Sequence, residues 1–200
     1  MNYFIASLIG YLLGSIPFAL VIGKVFYKTD IRQHGSGNLG GTNAGRTLGK
    51  KAGIFVIIFD VLKAAIAMVI TYFIAPDAMI FAGFFATIGH CFPVFANFRG
   101  GKAVSTAMGF YLSVSILITH NVLLHFVLPL AIFVLLLYIT KIVSLSSIIA
   151  VPAGALIIAL TQPDIRVTLA SVIISVIVVV RHRENIKRIM SHTERKITWM

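Results

Sequence analysis

The chain of 200 residues contains one cysteine, one tryptophan and six acidic residues, and charged residues of every kind make up only 12% of it. Each scarcity removes a class of protein. Cys91 alone cannot form an internal bridge, so a disulfide-stapled secreted scaffold is excluded, and with so few histidines it cannot build a zinc cluster. Soluble domains carry about 25% charge, and a water-soluble globule of this length needs far more polar surface to cover its core. A cytosolic domain and a disordered tail are therefore excluded too. What fills the chain is apolar, with 58% hydrophobic residues and a mean hydropathy of +0.98. The composition reads as an all-α integral membrane protein of one domain, 1–200. Against it stand 17 Lys+Arg and a formal net charge of +11, whose positions matter more than their sum.

A membrane-spanning helix needs about 20 apolar residues at 1.5 Å rise each. The first such run is Tyr3 to Ile22, with no charged region before it and no cleavage signature, which predicts an anchor and not a cleaved signal peptide. Gly53 to Ala75 follows, interrupted only by Asp60 and Lys63, and then Ala78 to Phe95. Ala103 to Thr140 holds no charge at all. As one helix it would reach about 57 Å against a core of ~30 Å, so it must fold back, with Thr119, His120 and Asn121 as the polar turn. Ile142 to Leu160 and the short run Val167 to Val180 complete about seven transmembrane helices, with Arg166 snorkelling at the edge of the last.

The cations then orient the chain. With Met1 outside, the inward loops hold Lys24, Lys28, Arg32, Arg46, Lys50, Lys51, Arg99, Lys102, Lys141 and everything from Arg181 onward, while the outward turns hold only Arg166 beside Asp77 and Asp164. That is the positive-inside pattern, and it places the C-terminus in the cytoplasm. Most of the positive charge is therefore topology, and nucleic acid is not an expected partner.

Three inward segments carry more than topology requires. In the first, seven of the 16 glycines fall between Gly35 and Gly53. Gly35 to Gly40 formally fits G-x-G-x-x-G, and Gly40 to Thr47 fits a P-loop pattern with Arg46 in place of lysine. Neither follows a strand or opens a βαβ unit, so a dinucleotide fold and a P-loop ATPase are rejected. The underlying physics survives. Glycines let backbone N–H groups converge on an anion, and a following helix start adds positive potential. Asn43, Arg46 and Thr47 are expected near that start, with Arg46 forking onto phosphate oxygens. A flexible linker would account for the glycines but not for such specific side chains.

The second segment runs from Gly89-His90-Cys91-Phe92-Pro93 to Arg99-Gly100-Gly101-Lys102, where two glycines and a lysine again precede a helix. His90 reads either as a structural cap beside Pro93 or as a direct participant. The third, Arg181 to Met190, sets His182 and Asn185 on one helical face; a basic amphipathic helix on anionic lipid is the alternative reading, and both can hold. Ser144, Ser146 and Ser147 offer hydroxyls at an inward helix start. In the membrane, Asp60 and Lys63 stand at i, i+3 and read as a pair supporting the site, since lone ions are costly there. Gly10 and Gly14 read as helix packing.

Several phosphate-binding elements on one face of a membrane suit a phosphorylated substrate that meets a lipid. There is no Ser-His-Asp set, and six acidic residues leave no array for a metal-dependent phosphatidyltransferase. Chemistry without metal or redox cofactor, by positioning and electrostatic stabilisation, is expected. An organic-phosphate transporter would need polar groups on both sides and usually an internal repeat, and the chain shows no repeat. A basic scaffold would not need the glycine loops.

Gly14-Ser15-Ile16-Pro17-Phe18, Gly35-Ser36-Gly37-Asn38, Thr42-Asn43-Ala44-x-Arg46, Gly89-His90 to Gly100-Gly101-Lys102, and His182-Arg183-Glu184-Asn185 together strongly resemble the bacterial acyl-phosphate:glycerol-3-phosphate acyltransferase family. The resemblance covers essentially the whole chain and departs at Gly41, where many members carry alanine. It implies a single transmembrane acyltransferase domain with seven spans in the bacterial cytoplasmic (inner) membrane, its motifs on the cytoplasmic face. It implies transfer of a fatty acyl group from acyl phosphate to the 1-hydroxyl of sn-glycerol 3-phosphate, giving lysophosphatidic acid and inorganic phosphate in phospholipid biosynthesis. Membrane lipids and the enzyme that forms acyl phosphate are the further partners. Ser36, Arg46, Lys102, His182 and Asn185 match the positions that bind glycerol 3-phosphate and act in the site. Gly37, Asn38, Gly40, Gly41, Thr42 and Asn43 match the loop that cradles acyl phosphate, and Ser144, or a neighbouring serine, a further substrate contact. The proton acceptor is either His182 or a substrate phosphate oxygen.

Overall fold

The computed structural model describes residues 1–197, and its regular elements are all helical. The chain forms two compact units, one ending at Phe110 and one beginning at Tyr111, with the junction inside α6 (Val104–Leu117).

In the first unit the run expected as one helix is broken into α1 (Asn2–Gly14) and α2 (Phe18–Tyr27). Pro17 is the cause, because it lacks an N–H and disfavours helical geometry at Ile16. The two pieces still make one apolar stretch of 26 residues. The short helix α3 (Gly41–Thr47) and the long α4 (Lys50–Ile74) follow, then α5 (Met79–Cys91). As expected, α1 packs through its glycines. A β-carbon at Gly10 would strike the Ala82 carbonyl and one at Gly14 the Ala86 carbonyl, both on α5. Ala6, Ala64, Ala67, Ala82 and Ala86 continue this seam of small residues. Lipid gives helices no hydrophobic reason to associate, so close backbone approach supplies the contact. The opposite faces expose Phe4, Phe26, Ile54 and Phe73, a surface suited to acyl chains and not to water.

In the second unit, the polar turn at Thr119–Asn121 is present. His120 adopts φ 51° and the Asn121 side chain accepts from Leu124 N at 3.1 Å. One turn of π-helix, Leu123–Val127, leads into α7 (Leu128–Thr140), followed by α8 (Val143–Thr161) and α9 (Ile165–Arg181). Buried His125 ties the turn to the end of α8, bonding Thr119 Oγ1 at 2.7 Å and Thr161 Oγ1 at 2.8 Å. Tyr111 donates to the Val151 carbonyl at 2.8 Å, and Gly154 leaves room for its ring. α9 extends beyond the expected Val167–Val180. Arg166 turns back onto Asp164, with Nη2 to Oδ2 at 2.8 Å, and Asp164 caps the helix. A 57° bend at His182 separates α9 from α10 (Arg183–Met190).

Among the described residues, five segments are long and apolar enough to cross a membrane, and six if the bent α9–α10 pair is one span. α6, an apolar helix of 14 residues, reaches about 21 Å, short of a ~30 Å core.

Candidate active site

The glycine-rich loop of the first unit is built around one buried side chain. Asn43, 3% exposed, accepts from Ser36 N at 2.9 Å through Oδ1. Its Nδ2 lies 3.1 Å from the His34 carbonyl, 3.1 Å from that of Asn38 and 3.4 Å from that of Ile31. Buried amides are costly unless satisfied, and here the satisfaction shapes the loop. Asn43 thus organises the segment from inside. Gly35 and Gly37 have φ of +63° and +67°, and a β-carbon at Gly35 would strike Asn43 Oδ1. Ile31 and Leu39 anchor the two ends of the loop in an apolar cluster with Ala44 and Val56. Before it, Asp30 caps a 3-10 turn and holds the Arg32 guanidinium at 2.6 Å. That bond outweighs the modest effect of burial and lowers the Asp30 carboxyl to about 2.

Ser36 and Arg46 stand exposed on this support, with Gly37, Asn38, Gly40 and Thr42 half-buried around it. Arg46 and Thr47 lie in the last turn of α3, not near its start as expected, and α3 has only seven residues. The positive potential of the segment therefore comes from the Arg46 side chain and the loop N–H groups more than from a helix dipole. Gly41 is buried, and a β-carbon there would meet Ile57 and the Gly53 carbonyl. In this chain Gly41 is thus matched to Ile57, which explains a local departure from alanine.

Lys102, half-buried, follows a loop that starts at the end of α5. Ala96 of that loop joins the same apolar cluster as Ile31, Leu39 and Ala44, so the Arg46 and Lys102 segments share one foundation. Gly101 N donates to the His90 carbonyl at 3.0 Å and Gly100 N to that of Cys91 at 3.2 Å. His90 is buried against Lys63, with which it shares a 2.9 Å contact at Nδ1. Lys63 pairs with Asp60 at 2.9 Å, the pair expected from their spacing.

In the second unit, Ser144 and Asn185 converge on one atom. Ser144 Oγ donates to Glu194 Oε1 at 2.9 Å and Asn185 Nδ2 to the same oxygen at 2.6 Å, while Arg188 Nε reaches Oε2 at 2.6 Å. Ser146 and Ser147 turn back onto carbonyls of their own helix, those of Ile142 and Val143. Ser144 alone of these three reaches beyond α8. Burial opposes the charge on Glu194. The hydrogen bonds from Asn185, Arg188 and Ser144, with the Arg188 charge, outweigh it and hold the carboxyl below its ordinary value. Glu194 is absent from the sequence-based set of site residues. The signal available was a lone acid among Arg188, Arg195 and Lys196. His182 sits at the bend, 4% exposed, with Nδ1 2.7 Å from the Val178 carbonyl. A carbonyl only accepts, so Nδ1 carries a proton, which in the neutral ring leaves the lone pair on Nε2. The bend falls at His182, which is the N-cap residue of α10, and Asn185 lies in the first turn of that helix.

Known proteins share this framework. The family model for glycerol-3-phosphate acyltransferase matches residues 4–192. A glycerol-3-phosphate acyltransferase of Listeria welshimeri is 47% identical over 204 residues, covering 100% of this chain and 99% of its own. One from Bacillus subtilis is 43% identical and covers 96% of each chain. The crystal structure of PlsY, an integral membrane glycerol 3-phosphate acyltransferase, in its glycerol 3-phosphate form superposes with a TM-score of 0.90 at 32% identity, over 99% of this chain and 96% of that one. A lysophosphatidic acid form of PlsY gives a TM-score of 0.87. With the motif residues, the helical membrane fold and near full-length identity in agreement, this chain belongs to the PlsY family of integral membrane glycerol-3-phosphate acyltransferases.

Proposed function

We propose that the chain, acting as a single acyltransferase domain, transfers a fatty acyl group from acyl phosphate to the 1-hydroxyl of sn-glycerol 3-phosphate. The products are lysophosphatidic acid and inorganic phosphate. The observation that carries this reading is the pair of cationic segments, Arg46 and Lys102, resting on one apolar cluster in the first unit. Two cations on a shared support suit a reaction in which both substrates bring a phosphate and repel each other. PlsY itself is known in forms with glycerol 3-phosphate and with lysophosphatidic acid, which fits the same substrate and product.

In this reading the glycerol oxygen forms the new ester bond to the acyl carbon, and the bond from that carbon to the phosphate oxygen breaks. Phosphate is a good leaving group, so no acyl-enzyme intermediate is needed. Ser36, Arg46 and the N–H groups from Gly37 to Thr42 hold phosphate oxygens, with Asn43 keeping the loop in shape; Lys102 neutralises charge that grows on the departing phosphate. Asn185 and Ser144 hold glycerol 3-phosphate. His182 takes the hydroxyl proton at Nε2, a role supported by the Nδ1 bond to Val178 that sets its tautomer. A phosphate oxygen of the substrate is the other acceptor for that proton. The chain crosses the bacterial inner membrane seven times, with Met1 outside and these residues on the cytoplasmic face, where the enzyme that makes acyl phosphate delivers its product.

The test is a two-substrate assay on purified protein in lipid, with chelator present. Acyl phosphate and glycerol 3-phosphate should yield phosphate and lysophosphatidic acid, while acyl-CoA should yield none. Arg46→Ala and Lys102→Ala should lose at least about 10²-fold in rate without unfolding. Product from acyl-CoA alone, or near wild-type rates in both variants, overturns the reading.

A further inference from the structure

Asp60, Lys63 and His90 form a buried polar cluster that takes no part in the reaction proposed above. They are 2%, 3% and 5% exposed in the apolar interior of the first unit. The Lys63 ammonium has three N–H groups, and three acceptors surround it: Asp60 Oδ1 at 2.9 Å, His90 Nδ1 at 2.9 Å and the Ile16 carbonyl at 3.2 Å. The last is available because Pro17 breaks the helix there. Asp60 Oδ1 also lies 3.4 Å from His90 Nδ1, so the ion pair holds the ring by this atom and turns Nε2 the other way. That edge of the ring faces Gly101, where a β-carbon would strike Nε2. The His90 carbonyl accepts from Gly101 N, and the neighbouring Cys91 carbonyl from Gly100 N. Ring and backbone of the α5 terminus therefore grip the two residues before Lys102. On either side of that grip the backbone is left-handed at non-glycine residues, at Asn97 (φ 53°), Phe98 (φ 57°) and Ala103 (φ 63°). Such geometry persists only where its surroundings over-determine it, and it tends to cluster at functional sites.

A role in helix packing alone does not explain this arrangement. Ionic groups in a membrane interior are costly, and apolar side chains of similar size would pack these helices without that cost. The cluster is not saturated either, because Asp60 Oδ2 lacks a hydrogen-bond partner among the described residues. What ions supply and methyl groups do not is direction, which here fixes the angle of one imidazole. We propose that Asp60, Lys63 and His90 are positioning residues that hold the Gly100–Gly101 turn and so set the place of the Lys102 ammonium against a substrate phosphate. The inference rests on the proposed phosphate role of Lys102.

The full-length protein in lipid tests it, with Lys63→Met, His90→Ala, Lys102→Ala and Lys102→Arg, and with Lys63→Met combined with Lys102→Arg. Lys63→Met and His90→Ala should each lose about 10²-fold in kcat, as for a group displaced by about 1 Å, with melting temperatures near wild type. On the Lys102→Arg background, Lys63→Met should add little further loss, because its effect already runs through residue 102. Losses that multiply in the double variant overturn the inference, since the cluster then acts elsewhere. Wild-type rates in Lys63→Met and His90→Ala beside an inactive Lys102→Ala overturn it while leaving the role of Lys102 intact. A fully active Lys102→Ala removes that role and the inference together. If Lys63→Met does not fold, Gly101→Ala presses on the His90 ring from the loop side and leaves the ion pair in place. Its loss should likewise vanish on the Lys102→Arg background, and a multiplied loss overturns the proposal.

Discussion

Asn43 and Glu194 do similar work with opposite chemistry. The Asn43 amide gathers backbone groups of residues 31 to 38 around one buried point, and the Glu194 carboxylate gathers Ser144, Asn185 and Arg188. Each converts a stretch of turn-forming chain into a surface with defined polar groups. Glu194 also gives the fold a pH dependence whose sign follows from its lowered pKa. Its folded-state pKa lies below the ordinary 4.5, so its stabilisation is complete above that value and disappears as pH falls through the lowered one. Glu194→Gln should cost about 1.5–3 kcal/mol near neutral pH, the range for hydrogen bonds to a charged group. Melting curves of wild type and variant recorded from pH 7 downward should converge in acid. A constant gap across that range would show that the charge is not what matters.

Helices in this chain are most informative where they fail to be regular. Pro17 breaks the first span beside Lys63, and the bend before α10 sets His182 at a corner. Contact between α3 and α4 is equally specific. Gly45 and Gly53 face each other, yet they are not equivalent. A β-carbon at Gly53 would lie 2.7 Å from Gly45 Cα and 2.9 Å from the Gly41 carbonyl, all backbone with nothing to swing aside. One at Gly45 would meet Gly53 Cα at 3.7 Å, an ordinary contact. Gly53→Ala should therefore destabilise by about 1–3 kcal/mol and disturb the loop that α3 carries. Gly45→Ala should be neutral or slightly stabilising, since alanine is the better helix former. Thermal unfolding in detergent compares the two, and equal effects would count against this packing.

For the molecule as a whole, the proposed orientation in the membrane follows from the cations. Its consequence is tested simply, because the one cysteine, Cys91, is fully buried and should not react. Lys51 and Asp77 are exposed near opposite ends of α4. In intact cells an impermeant thiol reagent should label Asp77→Cys and spare Lys51→Cys, and opening the membrane should expose the latter. The reverse pattern would invert the topology.

Apolar runs and the placement of cations are properties of the chain in one dimension. For that reason the membrane class, the helical fold, the fold-back at Thr119–Asn121, the Asp60–Lys63 pair and the glycine seam at Gly10 and Gly14 were legible before any coordinates. The motif residues similarly carried the family. Contacts between distant segments were not legible. Ser144 and Glu194 are 50 residues apart, and no local pattern announces that a tail carboxylate will collect that hydroxyl and Asn185. Nor does spacing reveal that Lys63 on α4 will meet His90 on α5, since both meetings depend on which helices pack and at what depth. Backbone breaks fall between these cases. Pro17 signals one plainly, whereas the bend at His182 carries no proline and appears only once α9 and α10 are built.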